Sequence, residues 1–469
     1  MRTELGIAGV TALLVIAGQG ILLGIGLTRV ALRSLLASAG LAYLVGAAAT
    51  MLIGVVLITL GGEVTLPVFV AIALLLGATG AGLAYRRAAT PPATEAEVEA
   101  EPSGASRGQK LIVGAALALV AALLVLGMLH AGVRPLAEWD SWSIWTRKAV
   151  VLTSGGLDAR IFDGMPYGFA HLEYPVLLPL FEAVHFRAMG GVDGQAIHAA
   201  LWILYVACLG SIAYLGSRFA RIWVWLPAVL ALAFGSQFYG QLLTAYADVP
   251  MALFAAPGVL CIGLWLRRLD WRYLLVGSLL LAAAANVKNE GTLLAVATFA
   301  AAAVVLAAGR SWRSLLTLGA GFAGVLVALA PWRLWVHGHG IKGSFPLSET
   351  FDLGKLPDRL DRIGPSLKTL YPQFESGALS FIVPFALVLV LVALTTRGLR
   401  GIAAFYLVAG LLTFSTVTWA LVVTPPGVAY QATTYTRVIM GTTSIALAAL
   451  LHLGALLDRW RPEATPQSP

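Results

Sequence analysis

The chain has 469 residues, of which 59% are hydrophobic and only 12% charged, about half the charged fraction of an average soluble domain. Its net charge of +8 comes largely from arginines in short clusters between apolar runs, where they set membrane topology and meet lipid headgroups. The composition therefore excludes a cytosolic enzyme and a nucleic-acid binder, and two isolated cysteines, Cys208 and Cys261, exclude a disulfide scaffold.

Thirteen apolar runs predict transmembrane helices, because about 20 apolar residues are needed to cross about 30 Å of hydrocarbon. The expected fold class is an all-α polytopic membrane bundle with spans at 5–28, 34–60, 66–85, 111–130, 194–216, 222–243, 249–266, 273–287, 292–308, 314–336, 376–396, 401–423 and 438–457. The first run is too long for the apolar core of a signal peptide, so we interpret it as a helix.

Arginines in alternate short connections indicate the orientation of the bundle by the positive-inside rule. The predicted cytoplasmic arginines are Arg29, Arg33, Arg86, Arg87, Arg218, Arg221, Arg267, Arg268, Arg272, Arg310, Arg313, Arg397 and Arg400. Segments 131–193, 337–375 and 424–437 then lie on the outer face, and we expect a multi-pass protein of the bacterial plasma membrane.

The chain divides at a polar stretch with two prolines and alternating Ala and Glu, residues 88–110, which predicts a cytoplasmic linker. Residues 1–87 are interpreted as an accessory unit of three helices, because nothing in them suggests chemistry. Residues 111–457 form the working body, with a long outer loop at 131–193, and residues 458–469 form a cytoplasmic tail.

Glu138 and Asp140 lie early in the long outer loop, directly after a predicted span. Pro135 favours an extended entry, which would turn both carboxylates to one side. Paired carboxylates suit general-base catalysis because each raises the proton affinity of the other. The alternative is a solvated acidic turn with Asp140 as the N-cap of the next helix.

The following stretch, Trp142–Leu152, predicts a helix in the membrane interface, with Arg147 and Lys148 at headgroup level. It either anchors the loop or places Lys148 against a lipid phosphate. Farther on, His171 and Tyr174 precede a second outer helix over 176–189, which is too short to span. His171 has no partner at metal-ligand spacing, so a surface histidine is favoured over a metal ligand.

Three polar sites recur at the predicted outer ends of later spans. Asp248 opens a helix as a plausible N-cap, and a carboxylate there can also face a cavity. Lys288 and Glu290 lie between two short apolar segments, so this break should sit below the outer surface, where the charges pair or bind substrate. Arg437 precedes the last span on the side opposite the positive-inside arginines; it either snorkels or binds an anion.

The order of these motifs resembles the GT-C superfamily of integral-membrane glycosyltransferases, in particular its bacterial protein-mannosyltransferase-like and aminoarabinose-transferase-like branch. The most specific part is the segment 138–149, Glu-Trp-Asp-Ser-Trp-Ser-Ile-Trp-Thr-Arg-Lys-Ala. Three further motifs contribute to the resemblance. They are a Tyr-Pro-rich apolar helix from Tyr174, the Ala-Asp-Val-Pro helix start at 247–250 and the Lys-x-Glu-Gly break at 288–291. The resemblance covers about residues 111–457; Glu-x-Asp stands where some members have Asp-Glu or Asp-Asp.

The resemblance implies inverting transfer of a sugar from a polyprenyl-phosphate donor to an acceptor hydroxyl of a glycan, lipid or protein on the outer face. Asp140 or Glu138 would be the general base and Asp248 would orient it or the acceptor. The expected phosphate-binding residues are Lys288, Arg437 and Lys148, and the expected pocket residues are Glu290, Tyr174, His171 and Trp142. No cofactor is required; a divalent metal on Glu138, Asp140 and Asp248 is not predicted.

The sequence leaves two other functional classes open. A transporter or flippase for lipid-linked sugars would also need many helices, intramembrane charge and a polar break. The charges gather on one side and no inverted repeat is visible, which favours the transferase. A non-catalytic assembly subunit is the third interpretation.

Overall fold

A computed structural model of the chain describes residues 2–88, 107–157, 171–233, 235–341, 343, 352–375, 379–423 and 439–460. These residues form helices and connections and contain no β-strand. The first seven helices are α1 (Arg2–Gly24), α2 (Leu32–Ala37), α3 (Ala39–Thr59), α4 (Leu66–Ala88), α5 (Arg107–Ala131), α6 (Thr146–Ser154) and α7 (Leu177–Met189). A π-helical turn, Ser141–Trp145, leads directly into α6.

The described residues contain eleven further α-helices. They are α8 (Ile197–Ser217), α9 (Ile222–Ala233), α10 (Ser236–Leu242), α11 (Asp248–Arg268), α12 (Trp271–Val287), α13 (Asn289–Ala308), α14 (Trp312–Gly338), α15 (Leu356–Glu375), α16 (Leu379–Thr395), α17 (Arg400–Val423) and α18 (Met440–Arg459). A short 3₁₀ turn, Leu353–Lys355, precedes α15.

Ten of the described helices are long and apolar enough to cross a membrane: α1, α3, α4, α5, α8, α11, α13, α14, α17 and α18. The multi-pass character predicted from the sequence is therefore confirmed. The apolar helices α9, α12 and α16 are shorter than a full span, so the count of thirteen spans stays a prediction.

The centre of the bundle is α11, whose side chains are buried along nearly its whole length. It packs against α12 and α18, and α12 packs in turn against α13, α14 and α3. Helix α3 also packs against α1 and α8, so the first helices contact the body directly. An accessory role for them stays a prediction.

The arginine-bearing connections meet at one end of the bundle, here named the arginine-rich end. Arg218 Nη1 donates to Leu27 O at 2.7 Å, and Arg272 Nη1 donates to Gly26 O at 2.8 Å. These bonds join the end of α1 to the end of α8 and the start of α12. Helices α11 and α13 begin at the opposite end, here named the Asp248 end.

Two expectations about these elements are wrong. The span expected at 222–243 is broken, because α9 ends at Ala233 and α10 starts after Gly235, which has an extended ψ of 95°. The connection 337–375, for which the sequence predicts no helix, contains the 20-residue helix α15.

Candidate active site

Three charged side chains at the Asp248 end form one cluster, named here the Asp248–Lys288–Glu290 cluster. Lys288 Nζ lies 2.6 Å from Asp248 Oδ1 and 3.0 Å from Glu290 Oε1. Lys288 is 4% exposed and Asp248 is 1% exposed. Each charge would be costly alone inside the bundle, so their mutual pairing is what allows them to remain buried.

The backbone explains why these residues meet. Lys288 is the single extended residue between α12 and α13, with φ −151° and ψ 153°, and both helices pack beside α11. Asp248 is the first helical residue of α11, and Ala247 occupies the N-cap position. The N-cap interpretation of Asp248 is therefore wrong, while the predicted Lys288–Glu290 pair is confirmed and Asp248 joins it.

Glu290 has one carboxylate oxygen that the cluster does not use. Its Oε1 faces Lys288, whereas Oε2 is buried and makes no hydrogen bond to any part of the chain that the structure describes. The side chain as a whole is 26% exposed. A buried acceptor without a donor is unfavourable, so Oε2 is the group of this cluster best suited to take a hydrogen bond from a substrate hydroxyl.

The end of α14 connects this cluster to the outer loop. Arg333 Nη2 donates to Asn289 Oδ1 at 2.6 Å, next to Lys288 in the chain. The indole N–H of the neighbouring Trp332 donates to Glu173 O at 3.0 Å. Two consecutive residues of one helix thus tie the α12–α13 junction to the segment that carries His171 and Tyr174.

Lys148 forms a second buried polar group, on α6. It is 1% exposed, and its ammonium donates to His171 O at 2.7 Å and Tyr174 O at 3.2 Å. Burial lowers the pKa of Lys148 to about 7, an effect that the negative charge of Glu173 partly opposes. The ammonium of Lys148 is thus buried and holds the loop segment that carries His171 and Tyr174. Its place at headgroup level and a role in binding donor phosphate stay predictions.

His171 and Tyr174 belong to an aromatic stack above Lys148. The rings of His171 and Tyr174 are 4.5 Å apart and nearly parallel, and Tyr174 stacks on Trp145 at 5.6 Å. His171 has a φ of +40°, and its Nδ1 lies 3.6 Å from Glu173 Oε1. The backbone strain at His171 is held by this stack and by the hydrogen bond from Lys148.

Glu138 and Asp140 do not form the extended pair that the sequence predicts. The helical stretch begins at Trp139, and Asp140 has helical angles of −65° and −29°, so the two side chains do not share the side of a strand. Glu138 forms an ion pair with Arg134 at 3.3 Å, and Asp140 is half-buried. Its assignment as the general base stays a prediction.

The tryptophans divide between surface and interior. Trp142 is 42% exposed and its ring contacts that of Trp139 edge-on at 4.7 Å, so this pair faces the surroundings of the chain. Trp332 and Trp335, near the end of α14, are buried and stack on each other at 5.3 Å. Through the hydrogen bond from Trp332 to Glu173 O, this pair supports the segment that carries His171 and Tyr174.

The sequence interpretation missed Glu173 and Arg333, which carry opposite charges beside the Lys148 and Asn289 positions. Arg333 had a usable signal: like Arg437, it lies at the predicted outer end of a span, against the positive-inside rule. Glu173 had no such signal in the sequence, because acidic residues are common in loops and only the fold shows that this one is buried. Its exposed fraction is 7%.

Glu182 and His185 on the outer helix α7 were also missed. Both are fully buried, and neither carboxylate oxygen of Glu182 has a hydrogen-bond partner among the described residues. Burial raises the pKa of Glu182 to about 8, although the nearby Thr146 hydroxyl lowers it somewhat without reaching hydrogen-bond geometry. Glu182 is therefore held mainly as the neutral acid at neutral pH.

Arg437 lies outside the described residues, so its predicted place in the site has no structural account. Within the described ranges, no three His, Cys, Asp or Glu side chains are grouped so that they could hold a metal ion. Glu138, Asp140 and Asp248 are accordingly not gathered as a metal-binding set.

Comparison with protein-family models, curated proteins and solved structures finds no match for the chain.

Proposed function

We propose that the chain is an integral-membrane glycosyltransferase that moves a sugar from a polyprenyl-phosphate donor to an acceptor hydroxyl at the outer face of a bacterial plasma membrane. The observation that supports this most strongly is the buried Asp248–Lys288–Glu290 cluster, because ionisable groups in a membrane bundle are costly and mark functional sites. The cluster lies at the end of the bundle where the sequence motifs resemble GT-C enzymes.

In the proposed reaction, Asp140 takes the proton of the acceptor hydroxyl as its oxygen bonds to the anomeric carbon. The bond from that carbon to the phosphate oxygen breaks, and polyprenyl phosphate leaves with the electron pair. A single displacement inverts the anomeric configuration. The leaving phosphate is a weak base, so it needs positive charge more than it needs a proton donor.

The described cations suggest a division of roles within this proposal. The charge of Lys288 is already compensated by two carboxylates, so it is better suited to orient Asp248 and Glu290 than to bind phosphate. Arg333, which donates to Asn289 and is only partly buried, is a more suitable phosphate ligand together with Arg437. Glu290 Oε2 would accept a hydrogen bond from a sugar hydroxyl.

A transporter or flippase for lipid-linked sugars is the second candidate, and the buried cluster is the observation that favours it. Against it, no Asp, Glu, Lys or Arg lies in the middle of any apolar span, so the charged residues are confined to the two ends. Coupled transport across a bundle uses ionisable groups along the path. This distribution favours chemistry at one end over movement through the bundle.

Purified protein incubated with radiolabelled polyprenyl-phosphate mannose, glucose or aminoarabinose, plus membrane extract as the acceptor source, tests the proposal. We expect labelled product from wild type, a loss of about 10²-fold or more with Asp140→Asn, and retention of activity with Asp361→Asn. Asp361 is exposed and provides the matched control for the Asp-to-Asn change. Relocation of label across proteoliposomes without any new glycosidic bond would contradict the transferase and support the transporter.

A further inference from the structure

A cavity of about 610 Å³ opens at the arginine-rich end, far along the helices from the candidate active site. Its wall carries four arginines: Arg267 and Arg268 at the end of α11, Arg397 in the turn between α16 and α17, and Arg459 at the end of α18. Three separate parts of the chain thus contribute arginines to the wall of one cavity.

Among the described residues, the arginines of this cavity are not paired with carboxylates. Arg267, Arg268, Arg397 and Arg459 have no carboxylate within 4 Å among the described residues, and the acids nearest in sequence are already paired elsewhere. Asp270 binds Arg272 at 3.1 Å and Asp458 binds Arg221 at 3.5 Å. Four exposed guanidinium groups around one cavity give it a positive potential, which favours the binding of an anion between them.

The remainder of the cavity wall indicates that the anion is amphipathic. Leu264 and Leu456 line the same space as the arginines, so polar and apolar surfaces meet within it. Its volume lies within the roughly 300–1,000 Å³ of ligand sites, which is more than a free phosphate ion fills. Basic pockets between transmembrane helices are known to suit the headgroups of anionic lipids.

We propose that this cavity binds the headgroup of an anionic phospholipid with two phosphate groups, each gripped by a pair of arginines. Arginine forms bidentate hydrogen bonds to phosphate, so four guanidinium groups match two phosphates. The bound headgroup would bridge the ends of α11 and α18 and the α16–α17 turn. The acyl chains would leave past the leucines into the membrane.

Native mass spectrometry of the purified protein with graded cardiolipin, phosphatidylglycerol or phosphatidylethanolamine tests this proposal. We expect cardiolipin to bind most tightly and phosphatidylethanolamine most weakly. The double variant R397Q/R459Q should raise the apparent Kd for cardiolipin about 30-fold, since each arginine near a lipid surface contributes about 1 kcal/mol. The control R33Q/R313Q removes two exposed arginines outside the cavity and should leave that Kd within about twofold.

The lysine variant R397K/R459K keeps the charge and the topology signals, so it serves if the glutamine variant is not recovered folded. It should weaken cardiolipin binding by several-fold, because lysine lacks the planar fork of arginine. Equal weakening by the control pair would overturn the proposal in favour of general surface attraction. Displacement of cardiolipin by millimolar inorganic phosphate, with phosphate itself bound, would assign the cavity to a free anion instead.

Discussion

Lys288 is central to the candidate site, because its ammonium pairs with both Asp248 and Glu290. A buried ion pair adds little net stability compared with apolar side chains of the same size, whereas removing one partner leaves an uncompensated charge. The members of the cluster should therefore depend on one another for their stability.

Single substitutions in the cluster should therefore cost more than the double substitution. Lys288→Met leaves two carboxylates without their shared cation, and Asp248→Asn removes one of the carboxylates that pair with Lys288; each should destabilise the fold by about 3–5 kcal/mol. The variant D248N/K288M should recover part of that loss. Thermal unfolding in detergent measures this, and additive losses in the double variant would contradict the coupling.

Glu182 on α7 should make the stability of the folded protein depend on pH, and this contribution can be separated from those of the other titratable groups. Its pKa is raised from 4.5 to about 8 by burial, so the folded state keeps a proton that the unfolded state releases. The stabilisation is complete below pH 4.5 and is lost as the pH rises through about 8. The lowered pKa of Lys148 has the opposite effect: it makes the folded state more stable as the pH rises, and only above about pH 7.

Glu182→Gln should abolish this dependence, because glutamine resembles the neutral acid and does not titrate. The wild-type stability should fall relative to that of the variant between pH 5 and pH 7, and Lys148 cancels from this difference because both proteins contain it. Melting temperatures over this range measure the difference, and His185 cancels because both proteins contain it. A constant difference across the range would show that Glu182 does not titrate as expected.

At the scale of helices, α1 is held by close backbone approaches instead of large side chains. A Cβ placed on Gly18 would lie 1.7 Å from Ala42 O on α3, and one on Gly80 of α4 would lie 1.9 Å from Gly20 O. Small residues allow such contacts between membrane helices, where lipid supplies no hydrophobic drive for association. The Gly-rich composition predicted this mode of packing but not the partners.

Gly18→Val should force α1 away from α3 and destabilise the protein by about 1–3 kcal/mol or more. Gly9→Val on the same helix is the matched control, because nothing lies within 4 Å of a Cβ at that position. Thermal unfolding of both variants in detergent gives the comparison. Equal effects of the two substitutions would mean that helix propensity, not packing, sets the cost.

Hydropathy located the apolar helices well and failed for the two elements that are not continuous apolar runs. The run at 222–243 has enough apolar residues for one span, but the chain turns at Gly235 and two short helices result. Helix α15 alternates apolar and charged residues around its surface, so it has no apolar run to detect. An amphipathic helix is stabilised by what it packs against, which a hydropathy scan does not contain.

For the molecule as a whole, the two ends of the bundle differ in charge, and this difference predicts their sides of the membrane. Arginines at one end should face the cytoplasm, which places the Asp248–Lys288–Glu290 cluster on the outer face. The native cysteines are both buried, so an introduced cysteine can be labelled selectively.

A membrane-impermeant maleimide should label V192C in intact cells, because Val192 is 52% exposed beyond α7 near the Asp248 end. It should label Y85C, which is 81% exposed at the arginine-rich end, only after permeabilisation. The wild-type chain should remain unlabelled in both conditions. The reverse pattern would place the candidate site in the cytoplasm and exclude an outer-face reaction.

The sequence by itself determined the class of the protein, the places of its apolar helices and the positions where charge would be expensive, because all three depend on local composition. It could also predict the Lys288–Glu290 pair, whose members are two residues apart. Only the tertiary structure brought Asp248 to Lys288, buried Lys148 under the outer loop and gathered four arginines around one cavity. These contacts join residues that lie tens to hundreds of positions apart, and their geometry depends on how the helices pack, which no local pattern records.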